Sequence, residues 1–308
     1  MINSCVLHLK YRPKKWADVV GQDRVVKSLQ AVIAKDASHC FLFSGGSGCG
    51  KTTLARIAAQ QVGCNEHDIT EIDAATYNGV DDMRDVASGL RYKPFNSKAK
   101  AVIIDEAHAV SKAGFDSLLK ILEEPPAHVY WFLCTTNIGK IPAAIKTRCL
   151  AYDLVPVSAE ELLELLAGVV QAEKLKVPEE VLSVAVNEAK GSPRQALVNL
   201  AVVAACKNRA EAAPLLQAAL ETPAVRDLCQ ALVKGATFDQ LRAIVAGIGD
   251  EIGAEGVRIQ VALYIAAVLK RTGSARLIKV LDAFSNPCNP SDKMAPIYLA
   301  IGRVCFSE

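Results

Sequence analysis

The sequence predicts an α/β fold in which a parallel sheet flanked by helices is followed by helical domains, and three observations carry that expectation. Short β-branched runs alternate with helical patterns through the first half of the chain. A glycine-rich loop stands between one such run and the start of a helix. After Pro156 the strand-like runs stop, and apolar residues recur at helical spacing instead.

Strands are predicted at 40–44, 68–72, 101–105, 129–135 and 150–154. Three of the five are apolar throughout or nearly so, as strands covered on both faces are. Helices fill the gaps. One at 51–62 follows the first strand directly, and one at 111–124 is stopped by Pro125-Pro126. Beyond Pro156, Ser158 opens a helix carrying Leu162, Leu163, Leu165, Leu166 and Val169, and with Glu161 three residues on it fits a capping box. Pro178 and Pro193 each stand where a first helical turn tolerates proline. From Lys207 onward the chain reads as helical, with breaks at Thr222-Pro223, near 249–256 and at 286–290.

Composition removes several classes of protein. Of the 308 residues 51% are hydrophobic, yet the longest apolar stretches, such as 261–269, fall far short of the ~20 residues that span a bilayer. No membrane partner is expected, and with no secretory signal pattern the expected location is the cytoplasm. Lys and Arg number 35 against 33 Asp and Glu, so nucleic-acid contacts have to come from local geometry, not a bulk basic field. Ten cysteines are scattered singly with no CxxC pair, the pattern of buried thiols in a reducing compartment.

Gly45-Gly46-Ser47-Gly48-Cys49-Gly50-Lys51-Thr52 satisfies the pattern G-x-x-x-x-G-K-[ST] between a predicted strand and a predicted helix, which is the context a phosphate-binding loop needs. The glycines let backbone N–H groups wrap phosphates at a helix N-terminus, Lys51 neutralises the outer phosphates, and Thr52, followed by Thr53, offers a hydroxyl to magnesium. A plain glycine-rich turn leaves Lys51 at the helix start unexplained. The run 102–104 ends in Asp105-Glu106, two carboxylates at the carboxyl end of a buried strand, where open α/β sheets bind ligands. Asp105 suits a magnesium position and Glu106 the polarisation of attacking water. Against a merely solvated strand end stands the tandem of acids in a chain that also carries the loop.

In these stretches, in Tyr11-Arg12-Pro13, 18–22, 71–75, Asp105-Glu106-Ala107-His108, 118–126, Thr135-Thr136, Thr147-Arg148-Cys149 and 191–194, the chain resembles the AAA+ clamp-loader ATPases of the gamma/tau family of bacterial DNA polymerase III. The resemblance runs in family order over most of residues 11–200. It implies a P-loop AAA+ ATPase domain at 1–156, a small helical lid at 157–206 and an all-helical collar at 207–308. It further implies binding and hydrolysis of ATP with Mg2+, a ring of about five subunits, and a sliding clamp and primer-template DNA as partners. By position, Val19 and Val20 line the adenine pocket with Tyr11 and Arg12 nearby, Thr136 senses the γ-phosphate with Asn137 as the alternative, and Arg194 is the lid arginine. Arg148 is the arginine finger directed at a neighbouring subunit. Taken alone, Arg148 is an ordinary surface arginine. Leu90, Tyr92, Pro94 and Phe95 fall where the family presents a clamp-contacting surface; for Leu90 partial packing into the core is an equal alternative, for Tyr92 and Phe95 a weaker one.

The chain departs from the family in two places. A four-cysteine zinc module is absent, leaving Cys64 and His67, too few ligands for zinc. The segment 76–80 lacks the family's basic residues, which shifts expected DNA contacts toward helix N-terminal amides and Tyr77. A compact variant, bacterial or phage-encoded, is the resulting expectation. Two rival readings remain: a nucleotide-binding ring subunit that does not hydrolyse, and another AAA+ DNA-remodelling motor.

Overall fold

The computed structural model describes residues 7–90, 92–94, 97–220, 223–248, 252–288 and 293–306. They form two compact units, Met1–Leu216 and Gln217–Glu308. The first unit opens with α1 (Leu7–Lys10) and α2 (Asp23–Ala34). It then alternates β1 (Cys40–Gly45), α3 (Lys51–Gln61), β2 (Ile69–Asp73), α4 (Val80–Gly89), β3 (Lys100–Asp105), α5 (Lys112–Glu123), β4 (Val129–Thr135), α6 (Ala143–Lys146) and β5 (Leu150–Leu154). The five strands are parallel in the order β2-β3-β4-β1-β5.

Burial follows from that order. Every residue of central β4 is buried, whereas of edge strand β2 only Ile72 is. Side chains alternate between the two faces with a period of two. Trp131 and Leu133 join Val102, Ile104 and Leu118 in one core, while Phe132 and Cys134 join Phe41, Phe43, Ile103 and Leu54 in the other. All five strands stand where the sequence places them. In β2 a 3-10 turn over Glu66–Asp68 takes up Asp68, so the strand starts and ends one residue later than expected.

Helix boundaries are set by side-chain caps. Ser111 Oγ accepts from Gly114 N at 3.1 Å to open α5, which ends before Pro125. In α7 (Ala159–Ala172) the capping box forms in both directions: Glu161 N donates to Ser158 Oγ at 3.2 Å and Ser158 N to Glu161 Oε2 at 3.2 Å. Pro178 precedes α8 (Glu179–Ala189), and Pro193 is the first residue of α9 (Pro193–Val203), capped by Ser192. Leu162, Leu166, Val169, Val181, Ala185, Leu197 and Leu200 make the core of this helical lid. Leu7 of α1 is buried in the same core, so the first described residue packs with the lid and not with the sheet. Helix α10 (Arg209–Leu220) leads into the second unit.

That unit is all-helical: α11 (Pro223–Lys234), α12 (Phe238–Ala246), α13 (Gly253–Thr272), α14 (Ala275–Ala283) and α15 (Ala295–Phe306) close around Leu228, Leu232, Val257, Val261, Ile265, Phe284 and Ile301. Glu255 on α13 pairs with Arg258 and accepts from Cys288 N at 2.7 Å, and Arg258 Nη1 donates to Phe284 O at 3.1 Å. Among the described residues, no helix is long and apolar enough to cross a membrane.

Candidate active site

The carboxyl ends of three adjacent strands converge on one edge of the sheet. Ser44, one residue before the end of β1, is level with Thr135, the last of β4, and Ile104 of β3 is level with Leu133 of the same strand. Gly45, Asp105 and Thr135-Thr136 therefore arrive together, at the edge where such sheets bind ligands. From β1 the chain turns through Gly48 (φ +75°) and Gly50 (φ +104°), left-handed conformations that favour glycine, into the first turn of α3. Lys51 is only 6% exposed and its Nζ donates to the carbonyls of Gly45 and Gly46 at 2.9 and 2.8 Å, which holds the ammonium over the loop.

Next to it, Thr52 Oγ1 donates to Asp105 Oδ2 at 2.9 Å, and Asp105 Oδ1 accepts from Glu106 N at 3.0 Å. Glu106 takes a left-handed backbone (φ +47°), which turns its side chain away from that of Asp105. Its Oε2 accepts from Thr136 Oγ1 at 2.9 Å and lies 3.2 Å from His108 Nδ1. The same imidazole nitrogen lies 3.1 Å from Thr135 Oγ1, which also accepts from Asn137 N at 3.0 Å. Asn137 thus meets Thr135 through its backbone, while the Thr136 hydroxyl meets Glu106.

A cleft of about 270 Å³ runs past this edge. Tyr11, Arg12, Val19, Val20, Ser47 to Thr53, Asp105, Glu106 and Arg194 line it. Gly45, Gly46, Thr136 and Arg148 are not among the residues that line it. The Arg148 guanidinium is tied within its own chain to Glu123 Oε2 at 3.1 Å and to Ala144 O at 2.8 Å. Arg12 donates through Nε to Thr53 Oγ1 at 3.2 Å; burial first, and then the nearby Arg56 charge, lowers its pKa. The lid approaches the loop closely, since a Cβ built on Gly48 falls 2.2 Å from Ser192 Oγ and 3.1 Å from Arg194 Cβ. Of the surface suggested for clamp contact, Leu90 is core, Tyr92 is 76% exposed, and Phe95 lies outside the described residues. Cys64 is buried, and burial pushes its thiol up to about 12.

Several lining residues were not singled out from the sequence. Leu165 and Leu197 face the cleft from the lid, and Glu71 reaches it from β2, paired with Arg56. The leucines read as ordinary helical core positions, because which of them meets a cleft depends on how the helices dock. His108 had a local signal, three residues past Asp105, but its contact with both Glu106 and Thr135 needs the fold.

The donor set fits a nucleotide with a divalent cation. A hydroxyl and a carboxylate 2.9 Å apart are hard oxygen ligands, and the loop offers backbone N–H groups and one ammonium to phosphates. Sheet order, loop and helical lid together make a P-loop nucleotide-binding fold. The proteins it is similar to are subunits of DNA polymerase III. Over 214 residues the chain is 38% identical to the DNA polymerase III subunit tau of Bacillus subtilis, covering 62% of this chain and 38% of that one. Over 218 residues it is 33% identical to the subunit gamma of Buchnera aphidicola from Baizongia pistaciae, covering 64% and 59%. The Escherichia coli tau subunit is 35% identical over 214 residues, 62% and 33% of the two chains. The chain thus spans between a third and three fifths of the length of these relatives.

Two family models match parts of the chain: "DNA polymerase III, delta subunit" over residues 68–158 and "Magnesium chelatase, subunit ChlI" over residues 15–112. Among solved structures, the Holliday junction branch migration motor RuvB of Thermotoga maritima shares the fold at a TM-score of 0.57 and 19% identity, over 79% of this chain and 87% of that one. A point mutant of RuvB aligns at a TM-score of 0.58 with the same identity and coverage.

Proposed function

We propose that this chain is an ATP-hydrolysing subunit of a sliding-clamp loader in the cytoplasm, one of a ring of about five subunits that opens a clamp and places it on primer-template DNA. The observation that carries the reading is the Thr52–Asp105 contact of 2.9 Å, directly beside a lysine held over its own loop. A strand-end carboxylate and a helix-start hydroxyl that meet across 53 positions of sequence are what a nucleotide-bound cation requires and what a merely glycine-rich turn does not. The polymerase III subunits among the relatives supply the clamp-loading context.

In this reading the amides of 45–52 and Lys51 hold the phosphates, and Thr52 and Asp105 hold magnesium, which neutralises charge on the transferring group. Glu106 polarises the attacking water, and its contact with Thr136 lets that hydroxyl report the state of the nucleotide to the carboxylate. Arg194, on the lid side of the same cleft, turns nucleotide binding into lid movement. Arg148, which does not line its own cleft, serves the next subunit.

Turnover measured with clamp and primed DNA, separately and together, tests the whole. Synergy between the two is expected of a clamp loader and of neither rival. Lys51→Ala is expected to abolish nucleotide binding, whereas Glu106→Gln keeps binding and loses turnover. Equal ATP affinity in Lys51→Ala and the unsubstituted chain would sink the assignment.

A further inference from the structure

The two sides of the cleft are held by different parts of the first unit. Val19 packs toward the sheet core around Phe41 and Leu54, while Val20 and Tyr11 pack toward the lid core around Leu162 and Leu200. One residue after Tyr11, Arg12 is fastened to Thr53 on α3. The chain therefore passes from lid contacts to sheet contacts between residues 11 and 12. Beyond that packing, one carboxylate ties the Tyr11 hydroxyl to the lid. Glu173, capping the C-terminus of α7, accepts hydrogen bonds from the Tyr11 hydroxyl and from Lys10 Nζ on the same oxygen. Its own place is rigid: Glu173 N donates to Val169 O at 2.9 Å, Lys174 turns left-handed (φ +54°) and Leu175 N returns to Val170 O at 2.9 Å.

We propose that Glu173 is a positioning residue for nucleotide selection: by fastening Lys10 and Tyr11 to the end of α7 it sets where Tyr11 and Val20 stand as the base-side wall of the cleft. The inference rests on the nucleotide reading above and deepens it, because it divides the site into two independently held halves. Loop and cation ligands belong to the sheet, as does Val19; the Tyr11 and Val20 part of the base-side wall belongs to the lid and is set through Glu173. Arg194 acts at the phosphate end, next to Gly48, so a change at Glu173 separates base recognition from phosphate recognition.

The test compares ATP with inorganic tripolyphosphate, which offers phosphates and no base, by direct and competitive binding on the full chain. Glu173→Ala is expected to weaken ATP roughly five- to tenfold, the net worth of one ordinary hydrogen bond, and to leave the tripolyphosphate constant unchanged. Glu173→Gln, which keeps an acceptor for Tyr11 and loses only the charge, recovers most of the ATP affinity. In a Tyr11→Phe background Glu173→Ala adds little. Unchanged ATP affinity in Glu173→Ala overturns the proposal, and so does an equal loss for both ligands, the signature of a lid loosened as a whole. Failure of the unsubstituted chain to bind ATP would instead overturn the nucleotide reading, and the role of Glu173 with it.

Discussion

Gly48 and Gly50 make a matched pair of perturbations. Both hold a left-handed φ, so alanine at either costs about 1–3 kcal/mol of backbone strain. They differ in what a new methyl meets. At Gly50 nothing lies within 4 Å, whereas at Gly48 the methyl falls 2.2 Å from Ser192 Oγ. That hydroxyl caps α9 by accepting from Gln195 N at 3.2 Å, and driving it aside forfeits the cap, worth about 1 kcal/mol. Gly48→Ala should therefore be about 1 kcal/mol more destabilising than Gly50→Ala, roughly 2–4 °C in melting temperature for a unit of this size. Both tryptophans, Trp16 and Trp131, lie in the first unit, so fluorescence excited selectively at tryptophan during urea unfolding without nucleotide reads that unit alone. In a Ser192→Gly background, where the cap is already gone and only Arg194 Cβ, at 3.1 Å, still crowds the methyl, the difference should largely vanish. Equal costs for the two glycines, or a difference that survives Ser192→Gly in full, would refute the idea that the lid helix rests on the phosphate loop.

Two other predictions address acid sensitivity and assembly. Arg258, and then the Cys288 N–H, hold the Glu255 carboxyl down to about 2 from 4.5. As pH falls from 4.5 toward 2 the unfolded chain takes up a proton that the folded one refuses, so the helical second unit loses stability across that window. Glu255→Gln should flatten this pH dependence, read by hydrogen exchange in peptides from α13; an unaltered slope would remove Glu255 from the account. Arg148→Ala is expected to leave ATP affinity nearly intact and to depress turnover in the assembled ring. Mixed rings of Arg148→Ala and Glu106→Gln subunits should regain part of the activity, and no recovery in verified mixed rings leaves Arg148 with only its intrachain contacts to Glu123 and Ala144.

The sheet was legible because its central strands are apolar runs bounded by turn residues, and even edge strand β2 kept enough pattern around Ile72 to be placed within one residue. The phosphate loop was legible because its chemistry is contiguous, eight residues carrying turn, amides, ammonium and hydroxyl. What the sequence hid is distant pairing. Nothing near Glu173 marks it as a partner of Tyr11, and α1 is four residues long with no periodicity to betray that Leu7 belongs to the lid. His108 was visible as part of a motif, but its bridge from Glu106 to Thr135 exists only because β3 and β4 lie side by side.

The docking of Leu7 and Tyr11 into the lid sets an order for synthesis. Tyr11 leaves the ribosome 162 residues ahead of Glu173, a wait of roughly 8–32 s at ordinary elongation rates. Through that interval the sheet can close, since β5 ends at Leu154, while Leu7 and Tyr11 have no core to enter. In the nascent chain Leu7 and Tyr11 therefore lack their packing partners until α7, α8 and α9 have emerged, and the nucleotide cleft gains its second wall only then.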